Sequence, residues 1–266
     1  MSRPDRPNSK AARIRNGLSL LELLVVLTIL IALGGIVVST LPGMLRRTQV
    51  ATAAANVPEI ESTIRRMSVL QQGQIGDRFD SLVSGTDSLD GSIPTYVGGS
   101  EFFETTGLTA DEIEALRLIG VTELIPANPV SENATYLSHD QPPVPIGTDT
   151  RVCMLSNESA PEILRSDWNL ELSESDSGRY LVFGLGQQCT IVGAGTQAAF
   201  SEAPVHFSDE RDQSPKDMYS RYLLLVELIS RESGTVARYI GSGIPSRNGI
   251  RSVSRELEGY YTNPTN

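Results

Sequence analysis

Residues 18–41 read LSLLELLVVLTILIALGGIVVSTL, and this apolar run decides the fold. Its 24 residues would make a helix of roughly 36 Å at 1.5 Å per residue, enough to cross a hydrocarbon core of about 30 Å. Glu22 is the one charged residue in the run. A charge at membrane depth costs about 2.5 to 3.5 kcal/mol on insertion scales, so such a residue is expected to be functional. The run therefore predicts a membrane-spanning helix with one functional carboxylate near its start.

The segment before the apolar run, Met1–Gly17, is short and basic. It contains one acidic residue, Asp5, and five basic residues: Arg3, Arg6, Lys10, Arg13 and Arg15. Positive charge before a span favours a cytoplasmic position for that end of the chain. A secretory signal would finish with a small-residue cleavage site, and no such site follows Leu41. We therefore expect a cytoplasmic N-terminus and an exported remainder.

The order of basic leader, Gly17, apolar helix and early acid resembles the prepilin signal of type IV pilins and of type II secretion pseudopilins. The resemblance covers residues 1–41. It implies cleavage after Gly17 by a prepilin peptidase, N-methylation of Leu18, and an assembly role for Glu22 as the fifth mature residue. The family most often has phenylalanine where this chain has Leu18, and its helix proline usually comes earlier than Pro42.

The resemblance also implies a fold and a location. The expected fold is α+β and pilin-like, with a long N-terminal helix whose first half spans the membrane and whose second half packs on a C-terminal domain. The expected domains are a leader (1–17), a transmembrane helix (18–41), its continuation (42–72) and an exported head (73–266). The expected location is the bacterial inner membrane, single-pass, with the head in the periplasm or outside the cell and the subunit later assembled into a filament.

A helical stripe after residue 41 supports the predicted continuation. The apolar side chains recur at helical spacing and are expected to pack on the head; they are Val50, Val57, Ile60, Ile64 and Met67. Two prolines are expected to disturb this helix. They leave open either a kinked helix or a fresh start capped by Asn56, with Pro58 in its first turn.

The head is predicted to combine one short helix with an antiparallel sheet. Residues 73–107 are rich in Gly, Ser and Asp and are expected to form loop. Thr109 and Glu112 form a capping box before a helix that ends near Gly120. No strand–helix–strand alternation is evident, which favours an antiparallel sheet. The expected strands are 151–155, 179–184, 188–192, 221–229 and 235–240, the last two joined as a hairpin through 230–234.

The two cysteines of the chain, Cys153 and Cys189, each lie in an apolar stretch. In an oxidising compartment such a pair is a candidate disulfide. A bridge of this loop size would stabilise the fold by roughly 3 to 4 kcal/mol. Two buried free thiols are the alternative, because free cysteine is common in protein cores.

The residue patterns favour a protein that is not an enzyme and binds no metal or cofactor. Residues 190–198 match a G-x-G-x-x-A fingerprint, but the helix and second strand that a dinucleotide site needs are missing. The glycine pair Gly184 and Gly186 resembles calcium-binding loops of major pseudopilins, yet the acidic ligands are absent. His139 and His206 are the only histidines and are interpreted as surface or packing residues. The net charge is −10, and removing the +4 leader leaves −14, which argues against nucleic-acid binding.

The sequence therefore predicts a structural subunit, a pseudopilin or minor pilin, of a type II secretion-like or type IV pilus-like filament. Its expected partners are the prepilin peptidase/methyltransferase, other pilin or pseudopilin subunits and the inner membrane. The alternative is a membrane-anchored exported enzyme or binding protein with a prepilin-like N-terminus. These two predictions differ in whether residues 1–17 are lost and Leu18 is methylated.

Overall fold

The computed structural model describes residues 20–85, 89, 102–128, 139–158, 160–168, 178–193, 200–205, 219, 221–246 and 249–252. It gives no side-chain description for 36–47, 49, 50, 53, 54 and 167. The chain divides into two compact units, Met1–Leu45 and Arg46–Asn266, and each is described by itself below.

Helix α1 runs from Leu20 to Leu70 without interruption. The predicted fresh start at Asn56 is therefore wrong. A proline inside a helix costs about 3 kcal/mol or more, so packing must compensate near Pro58. Val57 and Ile60, on either side of it, are fully buried in the main hydrophobic cluster of the second unit. Burial of this stripe, which continues through Ile64 and Met67, confirms the predicted packing of the helix on the head.

The membrane-spanning interpretation of the first half of the helix is wrong. Within the described residues, no helix is long and apolar enough to cross a membrane. The predicted location, a single-pass inner-membrane protein with a cytoplasmic N-terminus and a periplasmic or external head, loses its basis with it.

In its described residues, the second unit adds two short helices and a nine-stranded sheet. The helices are α2 (Ala110–Leu118) and α3 (Ala160–Trp168). The strands are β1 (Arg78–Ser84), β2 (Phe103–Gly107), β3 (Glu123–Ala127), β4 (Val144–Pro145), β5 (Arg151–Leu155), β6 (Arg179–Gly184), β7 (Leu223–Arg231), β8 (Gly234–Ser246) and β9 (Gly249–Arg251).

The sheet is mixed, so the predicted antiparallel sheet is wrong. Its order is β4-β3-β1-β6-β7-β8-β9, and β5 pairs both β2 and β6. The parallel pair is β1 with β3, in which Arg78 lies opposite Glu123. Parallel strands need a long crossover, and here α2 lies within it. The error arose because β1 falls in the stretch predicted as loop, which hid the strand–helix–strand order.

Two hydrophobic clusters form the core, one on each face of the sheet. Successive residues of a strand point to opposite faces. In β6, Leu181 and Phe183 belong to the cluster that contains the buried stripe of α1, whereas Tyr180 and Val182 belong to the cluster that contains α3. Strand β7 is buried on both faces over Leu223–Leu225 and pairs with β6 and β8. The sheet is thus covered by helices on both sides.

Several local predictions are confirmed. Strands β5 and β6 have the predicted bounds, and β7 and β8 form the predicted hairpin. Thr109 caps α2 with Glu112 as the third residue of a capping box. The predicted strand over 188–192 is wrong: those residues form a turn that ends in a single bridge from Val192 to Phe200.

Candidate functional site

The first candidate site is the apolar part of α1, over residues 20–35. All 16 residues are exposed, and because a helix turns once in 3.6 residues, they cover its whole circumference. The large hydrophobic residues here remain between 46% and 83% exposed, the extremes being Val25 and Leu20. A helix that is apolar on every side is normally buried, and a large exposed apolar patch marks an interaction site. We call residues 20–35 the assembly surface, because exposure of this kind is typical of an interaction site.

Glu22 lies in the first turn of α1 and is exposed. A carboxylate in that position is stabilised by the positive end of the helix dipole. Around it are Leu21, Leu23 and Leu24, so any group that covers this surface must accommodate a negative charge. The predicted cleavage and methylation residues, Gly17 and Leu18, lie outside the described residues.

Cys153 and Cys189 are both free, buried thiols. They belong to different hydrophobic clusters on opposite faces of the sheet. Burial raises the pKa of the Cys153 thiol well above its ordinary value. Burial, together with the negative charge of Asp80, raises that of Cys189. The sulfur of Cys189 accepts a hydrogen bond from the Gly186 amide at 3.0 Å.

A second candidate site is a buried polar cluster around Asp80, which the sequence analysis did not identify. Asp80 is in β1 and is 1% exposed. Its Oδ2 accepts a hydrogen bond from the Tyr219 hydroxyl at 2.8 Å and lies 3.5 Å from Nδ1 of His139. Its Oδ1 has no hydrogen-bond partner in the described part of the chain. We call Asp80, His139, Cys189 and Tyr219 the Asp80 cluster.

Two glycines make room for the Asp80 cluster. A Cβ atom on Gly186 would overlap the Asp80 carboxylate, and one on Gly184 would overlap the Tyr219 hydroxyl. The glycine pair, for which the sequence predicts no calcium site, thus packs against the side chains of Asp80 and Tyr219. Glycine often occurs where another group approaches the backbone closely. The glycine pair could therefore have indicated that a buried polar side chain packs against it.

The electrostatics of the Asp80 cluster follow from its burial. Burial raises the pKa of the Asp80 carboxyl, while His139, Tyr219 and the cation Arg221 each oppose that rise. Burial, with the Asp80 charge second, raises the pKa of Tyr219. Burying a charge is costly unless it is paired, so the cluster must hold its carboxylate either neutral or beside a cation.

The His139 side chain is buried, and both of its ring nitrogens have neighbours. Nε2 lies 2.9 Å from the carbonyl oxygen of Ser81, and the ring meets that of Tyr219 edge-on at 5.4 Å. Its backbone carbonyl accepts a hydrogen bond from Gln188 Nε2 at 2.7 Å. His206, the other histidine, lies outside the described residues.

Arginine–glutamate pairs connect elements of the head. Arg179 of β6 pairs with Glu112 and with Thr106, which ties α2 to the sheet. Glu227 of β7 accepts from Tyr180 at 3.1 Å and pairs with Arg238. In the part of the chain that the structure describes, no group of three or more His, Cys, Asp or Glu side chains is placed to hold a metal ion.

Comparison with protein-family models, with curated proteins and with solved structures finds no match for this chain. The resemblance to pilins and pseudopilins therefore stays a prediction from the N-terminal residues. The two sites described above carry the functional argument.

Proposed function

We propose that this chain is a structural subunit of a filament of the pilin or pseudopilin kind, cleaved after Gly17 by a prepilin peptidase and N-methylated at Leu18. One observation supports it above the rest: the assembly surface, residues 20–35, exposes apolar side chains around the whole helix. Burying that surface between copies of the same helix would remove it from water, at about 25 cal/mol per Å².

Glu22 gives the assembly a defined register. Cleavage after Gly17 would place a free α-amine four residues before this carboxylate. In a bundle of parallel helices, the amine of one subunit can approach Glu22 of the next, so that the two charges pair as they leave water. Removing one partner of a buried pair is strongly destabilising, by about 3 to 5 kcal/mol. A carboxylate among apolar side chains therefore specifies the axial position of neighbouring subunits.

Intact-mass measurement of the protein isolated from its own cells tests the processing step. The expected mass lacks residues 1–17 and carries one added methyl group, and fragmentation should place that group on the amine of Leu18. A chain that retains Met1–Gly17, or that begins at another residue, would contradict the proposal.

Charge-neutral substitution tests the role of Glu22. Glu22→Gln keeps the side-chain shape and removes the charge, whereas Glu59→Gln makes the same change at an exposed position later in α1. We expect Glu22→Gln subunits to be processed but poorly incorporated into filaments, and Glu59→Gln subunits to be incorporated normally. Equal incorporation of the two variants would show that the Glu22 charge has no part in assembly.

A further inference from the structure

The two ring nitrogens of His139 face a carbonyl oxygen and a carboxylate oxygen. The Ser81 carbonyl can only accept a hydrogen bond, so Nε2, at 2.9 Å, carries a hydrogen. In a neutral ring Nδ1 would then be an acceptor, and it lies 3.5 Å from Asp80 Oδ2. An acceptor facing a carboxylate is unfavourable. One further proton, on Nδ1 or on the carboxyl group, makes the contact attractive.

We propose that Asp80 and His139 share one proton in the folded head, and that the contact between His139 and strand β1 is lost when that proton is lost at alkaline pH. This inference concerns the head alone and does not rest on the proposed filament.

In the described part of the chain, Arg221 is the cation that acts on Asp80 besides His139. The side chains of His139 and Asp80 are 8% and 1% exposed, so water has little access. Among the described residues, the groups that face the pair are the Ser81 carbonyl on β1, Cys189 after β6, and Tyr219 and Arg221 before β7. Cys189 and Tyr219 stay neutral because burial raises the pKa of each. The Arg221 guanidinium also donates to the Ala203 carbonyl at 3.3 Å.

The direction of the pH effect follows from counting protons. In the unfolded chain, above the ordinary histidine pKa of about 6.5, the aspartate is ionised and the imidazole neutral. The folded pair holds one proton more. The unfolding equilibrium constant should therefore rise with pH, by up to about tenfold per pH unit. The raised pKa of Asp80 agrees, since a group whose pKa rises on folding contributes stability that is lost as pH rises through its folded value.

Urea unfolding of the full chain in mild detergent, followed by circular dichroism from about pH 6.5 upward, tests the proposal. The informative variant is Asp80→Asn, because an amide nitrogen in place of Oδ2 donates to Nδ1 without a shared proton. The wild-type equilibrium constant should rise with pH more steeply than that of Asp80→Asn, by up to about tenfold per pH unit. His206→Gln, which removes the only other histidine, should keep the wild-type slope. Equal slopes in wild type and Asp80→Asn would overturn the proposal.

Nitrogen NMR of the histidine rings provides a measurement that does not depend on how well Asp80→Asn folds. With two histidines in the chain, the His206→Gln protein leaves a single ring to observe. Wild-type His139 should keep a hydrogen on Nε2 in slow exchange with water near neutral pH, and lose that protection at alkaline pH. A ring that shows the mixed tautomers and fast exchange of a free histidine at neutral pH would refute the shared proton.

Discussion

Replacing Leu27 and Leu30 by glutamine should weaken assembly without disturbing the helix. The two side chains lie three positions apart on one face of α1 and are 53% and 60% exposed. Full burial of a leucine stabilises by about 1.5 to 3 kcal/mol, so covering their exposed parts contributes roughly 1.7 to 3.4 kcal/mol together. At 1.4 kcal/mol per factor of ten, the critical concentration for assembly should rise about 20- to 300-fold.

Sedimentation of the processed protein after detergent dilution measures that concentration. Glutamine and leucine have similar helix propensities, so the loss can be assigned to the apolar surface. The matched control changes Leu27 and Leu30 to methionine, which keeps both size and apolar character and should assemble as the wild type does. A glutamine variant with an unchanged critical concentration would mean that this face of the helix is not buried in the assembly.

Three further predictions concern the head, measured by urea unfolding except where stated. Thr109→Ala removes the capping box of α2 and should lower the free energy of unfolding by about 0.5 to 2 kcal/mol; no loss would mean that solvent replaces the cap. Gly186→Ala forces a methyl group against Asp80 and should cost about 1 to 3 kcal/mol, whereas Gly107→Ala, with open space around it, should cost nothing measurable. Cys153 and Cys189 should resist alkylation in the folded protein, because burial raises their pKa values and the thiolate is the reactive form. Mass spectrometry should find two alkyl groups after denaturation without reductant, and finding none would show a disulfide.

Elements that carry their own local signal could be predicted from the sequence. The capping box at Thr109 and Glu112 fixes where α2 begins, because both residues that close it lie within one helical turn. The glycine turn between β7 and β8 is equally local: Gly234 adopts a φ of +119°, which glycine tolerates and other residues rarely adopt. Strands β5 and β6 could be predicted because an uninterrupted apolar run follows the arginine that begins each of them.

Elements that depend on distant partners could not be predicted. Strand β1 contains Asp80 and Ser81, which interrupt its apolar character and made it look like loop. Both are nevertheless buried. The Ser81 hydroxyl accepts a hydrogen bond from the Val83 amide, and Asp80 accepts one from Tyr219, 139 positions away. A single sequence gives no sign of that partner, so the Asp80 cluster and the parallel pairing of β1 with β3 were both missed.

The sequence identified the apolar residues of the assembly surface, but the prediction that this segment spans a membrane was wrong. The apolar run and Glu22 can be recognised at once, and the structure shows residues 20–35 exposed around the whole helix. Hydropathy alone does not distinguish a surface covered by lipid from one covered by copies of itself. No helix among the described residues is long and apolar enough to cross a membrane.

The packing of Trp168 on strand β8 gives the head an optical reporter of its own. Its indole lies over two glycines, Gly241 and Gly243, where any side chain would collide with the ring. Trp168 is the sole tryptophan of the chain, so the wavelength of its fluorescence emission reports whether α3 is packed on the sheet. Unfolding of the head could thus be followed by light alone, even in filaments that scatter too strongly for other spectroscopies.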